Sequence, residues 1–225
     1  MKEVSSRVEG CRTVLEVGAG LGVLSVSLAD RVSYVNGIEI DYRFSSILRE
    51  VAEEHPNIDF VIGDILEYTA SADCLASNLP YSITGPFLSH MVKHLRPGLS
   101  VLTVQKEVAS RLAAKAGTGA YGRITVLVQL VYRVELGGVY PPSSFYPPPE
   151  VYSQVVVLRM RDDAISPVEA ERVENVTRCL FSQRNKRAIK VVRACCGIVL
   201  PNLGERRVYE LTPEEVLDIA RRCSE

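Results

Sequence analysis

Residues 14–25 read VLEVGAGLGVLS: a strand-length apolar run, three glycines at alternate positions, and then apolar sequence again. Gly18, Gly20 and Gly22 fall where a strand gives way to a helix, and without a Cβ they let backbone approach a ligand closely. The spacing is G-x-G-x-G, which differs from the dinucleotide pattern G-x-G-x-x-G. Glu16, inside the strand end, is expected to face the same crevice. Glycines also serve tight strand–helix turns for purely structural reasons. The stretch therefore fixes the local architecture and leaves the ligand open.

Working outward, strand-like and helix-like segments alternate. After Thr13–Val17 and a helix over 21–29 come a strand at 34–40, a helix over 43–54 and strands at 59–62 and 74–77. A helix at 86–94 and a strand at 100–105 follow. Such alternation predicts an α/β fold whose parallel sheet is covered on both faces. Two further β-rich runs, 125–134 and 152–160, lack a helix between them and are expected to pair antiparallel at one end of the sheet. Polar residues 161–167 (RDDAISP) mark a composition change, so a boundary is placed near residue 163. Beyond it the pattern is helical, giving domains 1–163 and 164–225. Thr212 reads as an N-cap, followed by Pro213 at the first helical position and Glu214 and Glu215 in the first turn.

Composition sets the outer limits. A chain of 225 residues, 47% hydrophobic and 24% charged, has the material for one main domain and an appendage. No apolar run approaches the roughly 18–20 residues of a membrane span, and residues 1–13 lack the apolar core of a secretory signal. The expectation is a cytoplasmic protein. The cysteines Cys11, Cys74, Cys179, Cys195, Cys196 and Cys223 show no C-x-x-C and no nearby histidine, which speaks against zinc; they are read as mostly buried thiols. Net charge is −1, yet residues 1–92 carry −7, 93–133 carry +6, 134–177 carry −4 and 178–225 carry +4. Such blocks fit a protein that docks a polyanion on one face, or helices with unevenly charged solvent faces.

The chemistry lies at successive strand ends. Glu39 stands 17 positions after Gly22, where a carboxylate can accept both hydroxyls of a ribose. Asp64, in the turn Gly63-Asp64-Ile65-Leu66, can accept from an adenine amino group or cap a helix. Ligands of open α/β sheets bind outside the carboxyl ends of the strands, so glycines, Glu39 and Asp64 together point to an adenosine-bearing cofactor. Asn78-Leu79-Pro80-Tyr81 closes the fourth strand. An aromatic amine is a poor nucleophile because its lone pair is delocalised. The Asn78 side-chain oxygen and a backbone carbonyl near Leu79 or Pro80 can hold its two N–H groups, aiming the lone pair at an electrophilic methyl. Proline stiffens the turn, and Tyr81 offers a face for a flipped-out base.

VLEVGAGLGVLS, GIEID, GDIL and NLPYSI, in this order and spacing, resemble the ribosomal RNA adenine N6,N6-dimethyltransferase family, in its small-subunit branch. The resemblance continues through QKEVASRL (105–112), Tyr121-Gly122-Arg123, FYPPPEVYSQVV (145–156) and LFSQRNKR (180–187). It implies a Rossmann-like class I methyltransferase sheet with a small C-terminal helical domain. The implied cofactor is S-adenosyl-L-methionine, with Gly18, Glu39 and Asp64 as contacts, Ile40 and Ile65 flanking the adenine, and Glu16 and Gly20 beside them. Asn78 would touch cofactor and target amine, with Leu79 and Pro80 in the same catalytic turn. Tyr81 and Phe145 would sandwich the target base. The implied activity is transfer of methyl groups to N6 of two adjacent adenosines in the 3′-terminal hairpin loop of small-subunit rRNA, coupled to ribosome biogenesis. The enzyme would act as a monomer on the assembling subunit, with no metal and no membrane partner.

On this reading the basic blocks form an RNA surface: Lys106, Arg111, Lys115 and Arg123 in the first, Arg184, Lys186, Arg187 and Lys190 in the second, with Arg178 and Arg193 beside them. One departure stands out. The family normally carries a helical stretch and a Gly-Gln-x-Phe-Leu-type motif before the first strand, where this chain has only residues 1–12. Either the start lies upstream, or part of the cofactor lid is missing. The second case motivates an alternative, an RNA-binding assembly factor of the same fold with weak or no catalysis. A large-subunit rRNA adenine methyltransferase is a further alternative.

Overall fold

Runs such as TVLEV and LSVLTVQ are apolar on both sets of alternating positions, the pattern of strands covered on both faces. In the computed structural model, which describes residues 1–69 and 72–223, they build one seven-stranded sheet. Its strands are β1 (Thr13–Val17), β2 (Tyr34–Glu39), β3 (Ile58–Ile62), β4 (Cys74–Asn78), β5 (Leu99–Gln105), β6 (Tyr132–Tyr140) and β7 (Ser153–Met160). The order across the sheet is β3-β2-β1-β4-β5-β7-β6. Strands β1 to β5 pair in parallel, with Val14 opposite both Val35 and Cys74, and β7 runs antiparallel to β5. The chain order reverses between β1 and β4. In a doubly wound sheet a crevice opens at that reversal, outside the carboxyl ends of the two strands.

By contacts the chain falls into two units. The first comprises Met1–Ala109 and Val134–Met160 and holds the sheet. Helices α1 (Lys2–Arg7) and α2 (Val23–Ala29) cover one face of the sheet: Val4, Val8, Leu24 and Leu28 pack with Val14, Val35, Ala76 and Val101. Helix α3 (Ser45–Glu54) follows β2, and α4 (Thr84–His90) follows β4 and continues as a π-helical turn over Met91–Leu95. Helix α1 precedes every element expected from the sequence. Glu3 of α1 accepts from the Gly138 N–H and from the Tyr140 hydroxyl (2.6 Å), tying that helix to β6.

The second unit comprises Ser110–Arg133 and Arg161–Glu225. Its helices are α6 (Arg123–Gln129), α7 (Pro167–Ser182), α8 (Ala188–Cys196) and α9 (Pro213–Arg222); α5 (Lys106–Leu112) leads into it from β5. A single cut near residue 163 thus catches the later segment and misses the earlier one. Thr212 caps α9 as its sequence indicates, within a capping box completed by Glu215. Ser166 and Glu169 do the same for α7, and Glu169 also pairs with Arg221 at the far end of α9 (2.6 Å).

Two expectations are corrected. Residues 125–134 do not form one strand: Thr125 to Val128 lie buried in α6, and β6 begins only at Tyr132. A short apolar run fits a helix buried on all sides as well as a strand, and periodicity cannot separate them. The local decision falls to Thr125, whose hydroxyl accepts from the Gly122 N–H and donates to the Arg111 carbonyl. The cysteines are not thiols. Cys11–Cys74, Cys179–Cys195 and Cys196–Cys223 are bonded, with Cα separations of 6.1, 6.0 and 4.8 Å. The expectation rested on the redox compartment, whereas the fold brings each pair within bridging range: Cys11, just before β1, meets Cys74 at the start of β4, and the other two pairs lie in the second unit. The neighbours Cys195 and Cys196 send their bonds in different directions, one to α7 and one to the end of α9.

Candidate active site

The glycine loop leaves β1 at Val17 and enters α2 at Val23. Gly18, Gly20 and Gly22 have φ of 75°, 55° and 77°, a region that costs residues with a Cβ about 1–2 kcal/mol. The Gly18 and Ala19 N–H groups both donate to the Ile38 carbonyl, folding the loop over the end of β2. A Cβ at Gly18 would lie 3.3 Å from Pro80 Cδ. The missing side chain at Gly18 therefore lets the turn after β4 settle on the loop after β1.

The acids divide by position. Glu39, buried at the end of β2, accepts from the Gly20 N–H (2.8 Å) and the Asp41 N–H (2.9 Å), so it orders the glycine loop from below. Glu16 is 1% exposed and takes a short hydrogen bond from the Ser25 hydroxyl of α2. Burial pushes its carboxyl up to about 8, the Ser25 bond acts against this, and the Glu39 charge adds to it. It lies beneath the loop, clamping strand to helix. Asp64 caps a short 3-10 turn, accepting from the Leu66 N–H at 2.9 Å with one oxygen. Ile65 is buried, whereas Ile40 is exposed, as are Leu21 and Val23 at the glycine loop and Tyr42 in the turn after β2. These last three were not singled out in the sequence, where scattered apolar residues carry no mark.

Asn78 ends β4 with its side chain exposed, and Leu79 is buried with its N–H on the Thr103 carbonyl (3.1 Å). The Pro80 carbonyl is engaged inside the turn by the Ile83 N–H and the Thr84 hydroxyl. The Leu79 carbonyl accepts no hydrogen bond among the described residues. The Tyr81 hydroxyl lies 2.6 Å from Ser153 Oγ, at the start of β7. Residues 141–152, with half-buried Phe145, lead directly into Ser153, so this bond ties the NLPY turn to the loop that bears Phe145. In the sequence Ser153 is legible only as one letter of FYPPPEVYSQVV, without a partner.

A family model described as ribosomal RNA adenine dimethylase matches residues 5–196. The chain belongs to that family. It is 41% identical over 212 residues to a probable ribosomal RNA small subunit methyltransferase A from Pyrobaculum aerophilum, covering 93% of this chain and 86% of the relative. To a ribosomal RNA small subunit methyltransferase A from Syntrophus aciditrophicus it is 37% identical, over 77% of this chain and 66% of the relative. Among solved structures, a dimethyladenosine transferase from Plasmodium falciparum superposes with a TM-score of 0.81 at 25% identity, covering 96% of this chain and 90% of the other. The 23S rRNA methyltransferase ErmE gives 0.68, also at 25% identity, over 99% and 96%. The fold is that of class I S-adenosylmethionine-dependent methyltransferases, and the chain is an rRNA adenine dimethyltransferase by family.

For a ribosomal RNA adenine dimethylase the fate of the cationic side chains matters. Lys106, in the first unit, is exposed, as are Lys115, Arg123, Lys186 and Lys190 in the second; none of the five forms an ion pair among the described residues. Arg178 and Arg193 are exposed and unpaired in the same sense. Arg187 is exposed but paired with Glu205 at 2.6 Å. Arg111 sits at the end of α5. Arg184 differs from all of these. Its guanidinium donates to the Thr118 and Gly119 carbonyls (3.3 and 3.1 Å) and lies over the Tyr209 ring, 5.6 Å from its centroid. It anchors the exposed loop that contains Gly117, whose N–H bonds the Tyr209 carbonyl. Sequence alone gave it the same standing as its neighbours.

Proposed function

We propose that this protein transfers methyl groups from S-adenosyl-L-methionine to N6 of two adjacent adenosines in the 3′-terminal hairpin loop of small-subunit rRNA. The observation that carries the reading is the seating of Pro80 on Gly18, which sets the amine-holding turn directly against the glycine loop. The residues fit the cofactor. No heavy atom lies within 4 Å of where a Gly20 Cβ would stand, the Glu39 and Asp64 carboxylates keep unused lone pairs, and Ile40 is exposed beside them. When bound, S-adenosylmethionine supplies an electrophilic methyl group.

The protein's own part is to hold the amine. The Asn78 amide oxygen and the Leu79 carbonyl take its two N–H groups, while Tyr81, fixed through Ser153, and Phe145 take the faces of the base. Fixed geometry then supplies most of the rate, and no strong general base is required because the amine grows more acidic as it is alkylated. After one methylation a single N–H remains, so the second transfer needs a rotated amine. Lys106, Lys115, Arg123, Lys186 and Lys190 contact phosphates in this reading, and Arg184 acts through the loop it anchors.

Undermethylated small subunits incubated with labelled cofactor should yield N6,N6-dimethyladenosine at two adjacent positions. Asn78→Ala should abolish transfer and leave subunit binding intact. Labelling of large-subunit rRNA alone would move the target, and subunit binding without cofactor binding in calorimetry would leave an assembly factor.

A further inference from the structure

Tyr146 is 98% exposed, the most exposed large apolar side chain among the described residues, and it directly follows Phe145. A lone exposed aromatic needs no explanation by itself, but this one is held in place from both sides. Before it, a 3-10 turn over Pro142–Ser144 is closed by the Ser144 and Phe145 N–H groups on the Pro141 and Pro142 carbonyls. After it, Pro147, Pro148 and Pro149 fix three successive φ angles. The loop is then tied down at Tyr152, whose carbonyl takes the Lys106 N–H at 2.9 Å, and at Ser153, bonded to Tyr81. Tyr152 is itself 53% exposed, and the exposed, unpaired Lys106 lies beside it. Aromatic faces interleaved with a cation on a stiff backbone are the means by which proteins hold single-stranded nucleic acid, and a preformed platform avoids most of the ordering cost of binding.

We propose that Tyr146 stacks on an unpaired RNA base adjacent to the target adenosine, and so fixes the strand on either side of the flipped nucleotide. Phe145 and Tyr146 would then divide the work, one on the target base and one on its neighbour. The proposal rests on the rRNA methyltransferase reading above and adds a second base subsite to it.

The test uses the full chain and an RNA hairpin with two adjacent loop adenosines, carrying 2-aminopurine at the loop position on one side or the other. Wild-type protein should change the 2-aminopurine fluorescence at one of the two positions. Tyr146→Ala should lose that change and bind about tenfold more weakly, the scale of one base–aromatic stack. Tyr146→Phe should keep both. Since the side chain is almost wholly in solvent, neither variant should shift the thermal midpoint. Equal affinity and equal fluorescence for Tyr146→Ala and wild type would overturn the proposal. Wild-type protein that binds the hairpin but never methylates subunits would instead overturn the methyl-transfer reading and leave the subsite standing. Failure of the wild type to bind RNA at all would remove both.

Discussion

Pro80 rests on Gly18 so closely that a methyl group on Gly18 would stand 3.3 Å from the proline ring. Gly18→Ala combines that contact with a φ of 75°, which penalises any Cβ by about 1–2 kcal/mol. The variant should lose a comparable amount of stability in denaturant unfolding. Its affinity for S-adenosylmethionine, read by calorimetry, should fall at least about tenfold because both walls of the site shift. Unchanged affinity would separate the loop from cofactor binding.

Glu16 makes stability depend on pH in the direction opposite to most carboxylates. Burial holds its folded pKa at about 8, well above the ordinary 4.5 of a glutamate, so the fold binds a proton that the unfolded chain releases. Its contribution is full below about pH 4.5 and is lost as pH rises through about 8. Glu16→Gln keeps an acceptor for Ser25 without the ionisation. It should gain on wild type by about 1 kcal/mol or more between pH 6 and pH 9. Parallel melting curves across that window would show that Glu16 is not the titrating group.

Arg184 anchors the loop that carries Lys115, and the two should behave differently. Arg184→Lys cannot reproduce a guanidinium shared between the Thr118 and Gly119 carbonyls over Tyr209, and it should lower the melting temperature. Lys115→Ala should leave melting unchanged and reduce the salt dependence of RNA binding by about one phosphate contact. Equal salt slopes for Lys115→Ala and wild type would remove Lys115 from the RNA surface.

The disulfides of the second unit close segments with sequence separations of 16 and 27 residues. On the loop-entropy account each contributes about 3 kcal/mol. Reductant should lower the melting temperature clearly, and mass spectrometry after alkylation without reductant should find no modified cysteine. Alkylation at Cys195 or Cys196 in the untreated protein would contradict the pairing.

Much of the first unit is written in local sequence. The apolar strands, the glycines and the NLPY turn sit where their patterns place them, because each is decided by neighbours a few residues away. The Thr212-Pro213 helix start is legible for the same reason. What escaped depends on distant partners. Residues 125–134 became a helix and then a strand through burial and an Arg111 carbonyl, the cysteines paired with residues 16 to 63 positions away, and Arg184 was drawn inward by a loop more than 60 residues away. Ser153 beneath Tyr81 and Glu3 on β6 belong to the same class.

The pairing of β1 with β4 joins residues 14–16 to 74–76. The proposed cofactor contacts Gly18, Glu39 and Asp64 all precede Asn78, so they are synthesised before the proposed place for the methyl acceptor. Pairing across such a separation carries a loop-closure cost. On the proposed function, a nascent or truncated chain ending before Asn78 would hold the donor contacts and none of the turn that holds the amine. Donor and acceptor sides of the proposed site are thus joined by a strand pairing that spans 60 residues, and a chain without β4 would have the first without the second.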